Sequence, residues 1–351
     1  MTVHTPLRSI DALVARGLVA PERREPLDAV ARRYAVSVTP AMAELIDPAD
    51  PADPIARQFI PDAAELVTLP QELADPIGDA AHSPVEGVVH RYPDRALLKL
   101  VHACPVYCRF CFRREMVGPG GDALTGGKLD AALAYLASHP EIWEVIMTGG
   151  DPLILSARRL REIAKRLADI GHIKIARWHT RVPMVQPERI TADYARALLI
   201  PGKASYIAVH ANHPREFSEA ARVALARLAD AGHVLLSQSV LLKGVNADVA
   251  TLGALMRAFV ENRVKPYYLH HPDLAPGTSQ FRLSLEEGQA LVKSLRGHLS
   301  GLCQPTYILD IPGGAGKIPV GPAFLSGCET TPGVEAFAED RHGELHRYPP
   351  A

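Results

Sequence analysis

From about residue 95 onward the chain alternates two hydrophobic patterns. Short apolar, β-branched runs occur at ALLKLVHA (96–103), EVIMTG (144–149), IKIARWHT (173–180), SYIAVHA (205–211), HVLLSQSVLL (233–242), VKPYYLHH (264–271) and TYILDI (306–311). Between them, apolar positions recur at helical spacing: Leu160, Ile163, Ala164 and Leu167 form one stripe; Phe217, Ala221, Leu225 and Leu228 form another. Ser284 and Glu287 have the spacing of a capping box ahead of Leu291 and Leu295. Near-continuous apolar strands that alternate with amphipathic helices predict an α/β fold, a parallel sheet covered by helices. Six or seven strands fall short of the eight of a closed barrel, so the expected architecture is an open partial barrel of the (β/α)6 type. A doubly wound open sheet is the alternative.

Upstream the pattern is different. Ile10, Leu13 and Val14, then Leu27, Val30, Ala31 and Tyr34, predict short helices over residues 7 to about 45. The Asp-Pro steps of DPADPADPIARQF (47–59) exclude a helix interior and predict an extended connector. The expected organisation is an N-terminal helical region and connector (1–85), the barrel (86–312), and a Gly-rich turn with a short C-terminal extension (313–351).

Composition narrows the functions open to this chain. A formal net charge of −1 gives no bulk attraction to nucleic acid or an anionic membrane. No apolar run reaches the length of a spanning helix, and MTVHTPLRSIDALVARG lacks a signal peptide's apolar core. The expectation is a cytoplasmic protein that engages neither nucleic acid nor membrane. Of five cysteines, three fall at 104, 108 and 111 and the others at 303 and 328, which suits a reducing compartment and a metal site more than a disulfide scaffold.

The segment Cys104-Pro-Val-Tyr-Cys108-Arg-Phe-Cys111 directly follows the first strand of the barrel pattern, where parallel α/β folds place active sites. A cubane iron–sulfur cluster is usually held by four thiolates. Three at this spacing leave one iron open to a ligand. The competing reading is a zinc site or buried structural cysteines. Zinc takes four ligands, commonly from CxxC pairs, and only His102, at a strand end, stands near as a fourth. With the aromatic Phe110 before its last cysteine, the triplet resembles the signature of the radical S-adenosylmethionine (SAM) superfamily. That resemblance implies a [4Fe–4S] cluster on Cys104, Cys108 and Cys111, with SAM on the open iron, cleaved to a 5′-deoxyadenosyl radical. Gly149-Gly150-Asp151, at the end of the second strand, then resembles the superfamily's contact to the SAM amino group.

A second chemistry stands near the C-terminus. Asp310-Ile-Pro-Gly-Gly-Ala-Gly316-Lys317-Ile-Pro319 describes a rigid turn presenting one amine. A desolvated lysine can form a Schiff base with an aldehyde, and pyridoxal phosphate (PLP) is the usual partner. A Gly-rich surface loop, or a phosphate-binding one, is the alternative; a P-loop is excluded because Ile318 follows the lysine. Taken with the cysteine triplet, this turn resembles the lysine 2,3-aminomutase family, over about residues 85–325. The resemblance implies that Lys317 carries PLP and that Arg91, Tyr92 and Arg95 of RYPDR hold its phosphate. It assigns Arg113, of the pair Arg113-Arg114, to the substrate carboxylate, and His210 and Gln238 to the surroundings of SAM. Asp273 and Asp310 match the positions that hold the ε-ammonium of lysine.

The implied reaction is conversion of L-lysine to β-lysine. The radical abstracts hydrogen from the substrate's β-carbon, and the amine migrates from the α- to the β-carbon. A flavodoxin or ferredoxin is the implied reductant, and a homo-oligomer is left open. Long family members carry a zinc site that uses a cysteine after a GVN turn; here Asp248 follows Gly244-Val245-Asn246-Ala247, and the tail has only Cys328, so no zinc is expected. The short tail and Trp178-His179-Thr180-Arg181-Val182-Pro183 resemble the branch serving elongation factor P, whereas PGGAGKIP and Asp310 resemble the free-lysine mutases. Two other functions stay open: a mutase acting on arginine or glutamate, and an iron–sulfur electron-transfer or scaffold protein without radical chemistry.

Overall fold

The computed structural model describes residues 5–120, 123–327 and 336–348. Among these, nine strands lie in one sheet in sequence order: β1 (Val88–Tyr92), β2 (Arg95–Val101), β3 (Glu144–Gly149), β4 (Ile175–Thr180), β5 (Ala204–His210), β6 (Val234–Val240), β7 (Val264–His270), β8 (Thr306–Ile311) and β9 (Gly316–Pro319). Strands β2 to β8 run parallel, while β1 and β9 pair antiparallel at the two edges. The sheet curls until those edges almost meet. The backbone N–H of Lys317 on β9 donates to the Tyr92 hydroxyl on β1 at 2.8 Å. The result is the nearly closed, mostly parallel barrel expected of a radical SAM partial barrel.

Four short helices precede the barrel: α1 (Ile10–Ala15), α2 (Arg24–Arg33), α3 (Pro40–Leu45) and α4 (Pro54–Phe59). Helical crossovers then join the parallel strands: α5 (Gly126–Ala137), α6 (Ala157–Ala168), the short pair α7 (Val182–Val185) and α8 (Ala192–Ala197), α9 (Glu219–Asp230), α10 (Val249–Glu261) and α11 (Leu285–Leu295). The stripe Leu160, Ile163, Ala164 and Leu167 is buried along α6. Ser284 and Glu287 form the capping box of α11. Asp248 caps α10 by accepting from the Thr251 N–H at 2.8 Å. Within the described residues, no helix is long and apolar enough to cross a membrane.

Two sequence expectations change. The Asp-Pro connector is not extended throughout, because Pro54 takes the first position of α4, where a missing N–H costs nothing. Asp53 caps that helix, accepting from Ile55 N–H at 2.9 Å and Ala56 N–H at 2.7 Å. The sheet also runs past residue 312, so the turn bearing Lys317 opens a strand of the barrel. Beyond it, β10 (Leu325–Ser326), β11 (Ala336–Glu339) and β12 (Leu345–Tyr348) form a small antiparallel sheet. These strands are short and largely exposed, so no apolar periodicity announced them. Cys328 lies outside the described residues.

The Asp53 carboxylate is fully buried and also meets Arg215 at 2.7 Å. Asp53→Ala is expected to lower the unfolding free energy by about 1–2 kcal/mol, mostly through the lost cap, since Arg215 keeps contact with water. Equilibrium denaturation in urea measures it.

Candidate active site

The loop after β2 carries the cysteines, and the N-terminal region fixes its shape. Arg109 N–H donates to the Gln58 carbonyl at 2.9 Å, Tyr107 N–H to the Ser37 carbonyl at 3.2 Å, and the Ser37 hydroxyl to the Pro105 carbonyl at 2.8 Å. Cys104, Cys108 and Cys111 are half-buried free thiols on one cavity at the C-terminal ends of the parallel strands. Burial, then the nearby Cys108, pushes the Cys111 thiol up to about 11. Burial, then Asp151 and the neighbouring thiols, pushes Cys104 well above its ordinary value. Three thiols gathered on one cavity wall suit a multi-iron cation, which takes its ligands as thiolates. Cys303 is buried in the hydrophobic core.

The same cavity is lined by Arg113, Gly149, Gly150, Asp151, His210, Gln238, Asp273, Asp310 and Lys317. A larger cavity, about 610 against about 230 Å³, lies under the N-terminal helices between Val19, Pro51, Arg57 and Phe281 and contains none of these residues. Chemistry and not size therefore marks the site.

Gly149, the last residue of β3, and Gly150 after it make a close approach to protein. A Cβ on Gly150 would stand 2.2 Å from the Ala103 carbonyl oxygen, and one on Gly149 2.3 Å from that of Val101. Asp151 N–H donates to the Ala103 carbonyl at 3.0 Å, so this turn is laced to the cysteine loop. The Asp151 carboxylate accepts from Leu153 N–H at 3.0 Å, the Thr180 hydroxyl at 2.8 Å and Arg181 N–H at 2.7 Å, and so serves the chain itself. His210 and Gln238 are register partners on β5 and β6. The His210 Nε2 is buried without a hydrogen-bond partner, and burial, then Arg181, holds this imidazole well below its usual pKa.

Lys317 places its ammonium on Asp310, contacting both carboxylate oxygens. His270 Nδ1 lies 3.4 Å from the same carboxylate. Burial alone would raise the Asp310 pKa, but the His270 hydrogen bond and the Lys317 charge bring it down to about 2. Asp273 has the opposite fate: burial, then Asp310, lifts it to about 7. Arg91, Tyr92 and Arg95 are not among the residues that line the cavity, though the Tyr92 hydroxyl accepts from Lys317 N–H. Arg91 donates to the Ile77 carbonyl, while its Nε is buried without a partner. The Arg95 guanidinium lies 3.8 Å from the Tyr92 ring centroid.

The chain is similar to proteins of known activity. A family model described as "Radical SAM superfamily" matches residues 98–252, and one described as "Lysine-2,3-aminomutase" matches residues 292–331. The chain is 40% identical over 304 residues to the L-lysine 2,3-aminomutase of Clostridium subterminale, spanning 87% of this chain and 73% of that protein. It is 37% identical over 323 residues to that of Acetoanaerobium sticklandii, spanning 92% and 78%. It is also 33% identical over 319 residues to the glutamate 2,3-aminomutase of Clostridioides difficile, spanning 91% and 75%. The chain belongs to the lysine 2,3-aminomutase family. It is therefore an isomerase of the radical SAM class, acting on a small molecule, with a [4Fe–4S] cluster and SAM as the family's cofactors.

The structure adds residues that sequence reading passed over. Arg181 is 4% exposed, and its Nη1 donates to the Cys108 sulfur at 2.9 Å. Its Nη2 meets Gln58 at 2.6 Å and Glu216 at 2.8 Å. This arginine was visible only as part of a resembling segment. His179 and His270 line the cavity with buried, unpartnered Nε2 atoms. Arg114, next to Arg113, turns away to Glu65, which it shares with Arg109.

Gly150→Ala is expected to push the β3 turn off the cysteine loop and to lower severalfold the iron bound after anaerobic reconstitution. Gly171→Ala, with no atom within 4 Å of its added Cβ, should bind iron normally. Iron and sulfide determination on both variants measures the difference.

Proposed function

We propose that this family member is a PLP-dependent lysine 2,3-aminomutase, converting L-lysine to β-lysine. The observation that carries the substrate is the carboxylate pair of half-buried Asp273 and buried Asp310, which line the same cavity as the cysteines; Asp310 already receives an alkylammonium, that of Lys317. A buried ammonium is costly unless paired, and a glutamate side chain there would bring a third negative charge. With its groups bound, the site has a cluster and SAM to supply a hydrogen-abstracting 5′-deoxyadenosyl radical, and PLP to carry the amine from the α- to the β-carbon.

The chain's own part is binding, orientation and exclusion of water. Cys104, Cys108 and Cys111 hold the cluster and leave one iron to SAM. The backbone of the Gly149–Asp151 turn, with His210 and Gln238, borders SAM. Lys317 carries PLP, and Arg91, Tyr92 and Arg95 hold the phosphate. The orphaned Arg91 Nε supports this, as does the Tyr92 hydroxyl fixed to the Lys317 backbone. Arg113 takes the substrate carboxylate. The reductant we assign by the family resemblance is a flavodoxin or ferredoxin, and the compartment a reducing cytoplasm.

Anaerobic assay with reconstituted cluster, SAM, PLP and reductant should give β-lysine from L-lysine and no isomerised product from L-arginine or L-glutamate. The reverse preference would overturn the substrate. Asp273→Ala should lower kcat/KM for lysine by about a hundredfold, the loss of one strong charge-assisted bond to a buried cation, while borohydride still fixes PLP to Lys317.

The raised pKa of Asp273 gives a pH signature. Only the ionised carboxylate attracts the ammonium, so affinity is fully present above pH 7 and is lost as Asp273 protonates below it. Log kcat/KM for lysine should therefore fall with a slope near one per pH unit on the acid side of about 7. In Asp273→Asn that limb should be flat, as pH–rate profiles of the two proteins would show.

A further inference from the structure

Arg91 and Arg113, assigned above to a phosphate and a carboxylate, are joined by a residue with no assigned role. Asp79 lies in the turn before β1, and its side chain is 1% exposed. Its Oδ2 accepts from Arg113 Nε at 2.9 Å, and its Oδ1 lies 3.5 Å from Arg91 Nη2. We propose that Asp79 is a positioning residue that sets these two guanidiniums side by side to receive two anions, the phosphate of PLP at Arg91 and the carboxylate of the amino acid at Arg113. The inference rests on the PLP–lysine reading of this site.

Donor accounting supports the assignment. An arginine offers five N–H donors. Asp79 engages only Nε of Arg113, and the side chain lines the cavity with its Nη fork free of hydrogen-bond partners among the described residues. That end-on fork fits a carboxylate in bidentate fashion. Arg91 spends Nη2 on Asp79 and the Ile77 carbonyl, leaving Nε buried and unpartnered. A buried charged donor without an acceptor is costly, so its retention points to an acceptor that arrives with a ligand.

Charge accounting agrees. Lys99 is also close enough to act electrostatically on Asp79. Arg113, Arg91 and Lys99 face the Asp79 carboxylate, and Asp75 also acts on Lys99. Without Asp79 the two guanidiniums would repel each other in a poorly solvated place; with both carboxylates the cluster keeps a net positive charge for incoming anions. Burial alone would raise the Asp79 pKa, but Arg113, then Lys99 and Arg91, hold it below the ordinary carboxylate range, so it stays ionised.

The turn is built to hold that carboxylate still. Asp75 accepts from Asp79 N–H at 2.9 Å and Ala80 N–H at 2.8 Å. Gly313 N–H donates to the Pro76 carbonyl at 3.0 Å, and a Cβ on Gly78 would stand 2.8 Å from the Gly313 oxygen. One turn thus touches both arginines and the Gly-rich bend that leads to Lys317.

The test compares L-lysine with L-lysinamide, which lacks the negative charge, on reconstituted PLP-loaded enzyme. In Asp79→Asn the dissociation constant of lysine should rise about tenfold, the loss of one well-oriented charge-assisted contact, and that of PLP should rise too. Lysinamide binding should stay within about twofold, because its ammonium contacts are untouched. Asp79→Glu should restore most of the lysine preference. The lysine-to-lysinamide ratio is read within each variant, so a general loss of stability does not mimic the result. Equal weakening of both ligands in Asp79→Asn, or no change in either, would overturn the proposal. Arg113→Gln separates the two claims. If it abolishes the ratio while Asp79→Asn does not, the positioning role fails alone. If it leaves the ratio intact, the carboxylate reading of Arg113 fails and takes the role of Asp79 with it.

Discussion

The Tyr92 hydroxyl holding the Lys317 backbone ties the two open edges of the barrel, and the site depends on that closure. A parallel sheet places its loops at one end, but only a curled sheet brings the loop after β2 and the start of β9 to one cavity. The bond carries structural and chemical meaning together, because one partner lies in the segment of Arg91 and Arg95 and the other bears the amine. The closure is finished by backbone approach at glycines: Gly78 against Gly313 and Gly314, and Gly149 and Gly150 against residues 101–103. At these points a side chain would hold the layers apart.

Around the cavity, buried charges are matched with partners on different elements. Arg181 from the end of β4 joins Cys108, Gln58 and Glu216. Glu65 binds Arg109 and Arg114, on either side of Cys111. Such networks add little net stability over apolar packing, since desolvation offsets the attraction. They do fix geometry, because a buried charge tolerates few alternatives. The N-terminal helical region thereby gains a function: Ser37, Gln58 and Glu65 are the mould in which the cysteine loop sets.

Electrostatics near Lys317 is arranged differently. Asp310, paired with Lys317 and His270, is held ionised, while Asp273 nearby lacks a cation of its own and titrates near 7. The unequal pair makes room for one more positive charge. The neutral imidazoles of His179, His210 and His270 keep the rest of the wall polar without adding charge.

The strand and helix succession from residue 95, the capping box at Ser284 and the cysteine triplet were all legible in the chain, because each is set by spacing within a few residues. The parallel strands fell where apolar runs stood, and the cysteines, Asp273, Asp310 and Lys317 met at one cavity, as the strand-end rule requires. The antiparallel edges β1 and β9 were not legible, being short and half-exposed. Nor was the role of Asp79 in a turn that reads as an ordinary polar loop, or that of Arg181, 73 residues from the sulfur it touches. Local pattern determined the elements and the reactive groups. The fold alone decided which carboxylate stands between which arginines, which glycines pack against protein, and how Tyr92 meets Lys317, because those contacts join residues far apart in the chain, 225 positions for the last, and depend on the curl of the sheet.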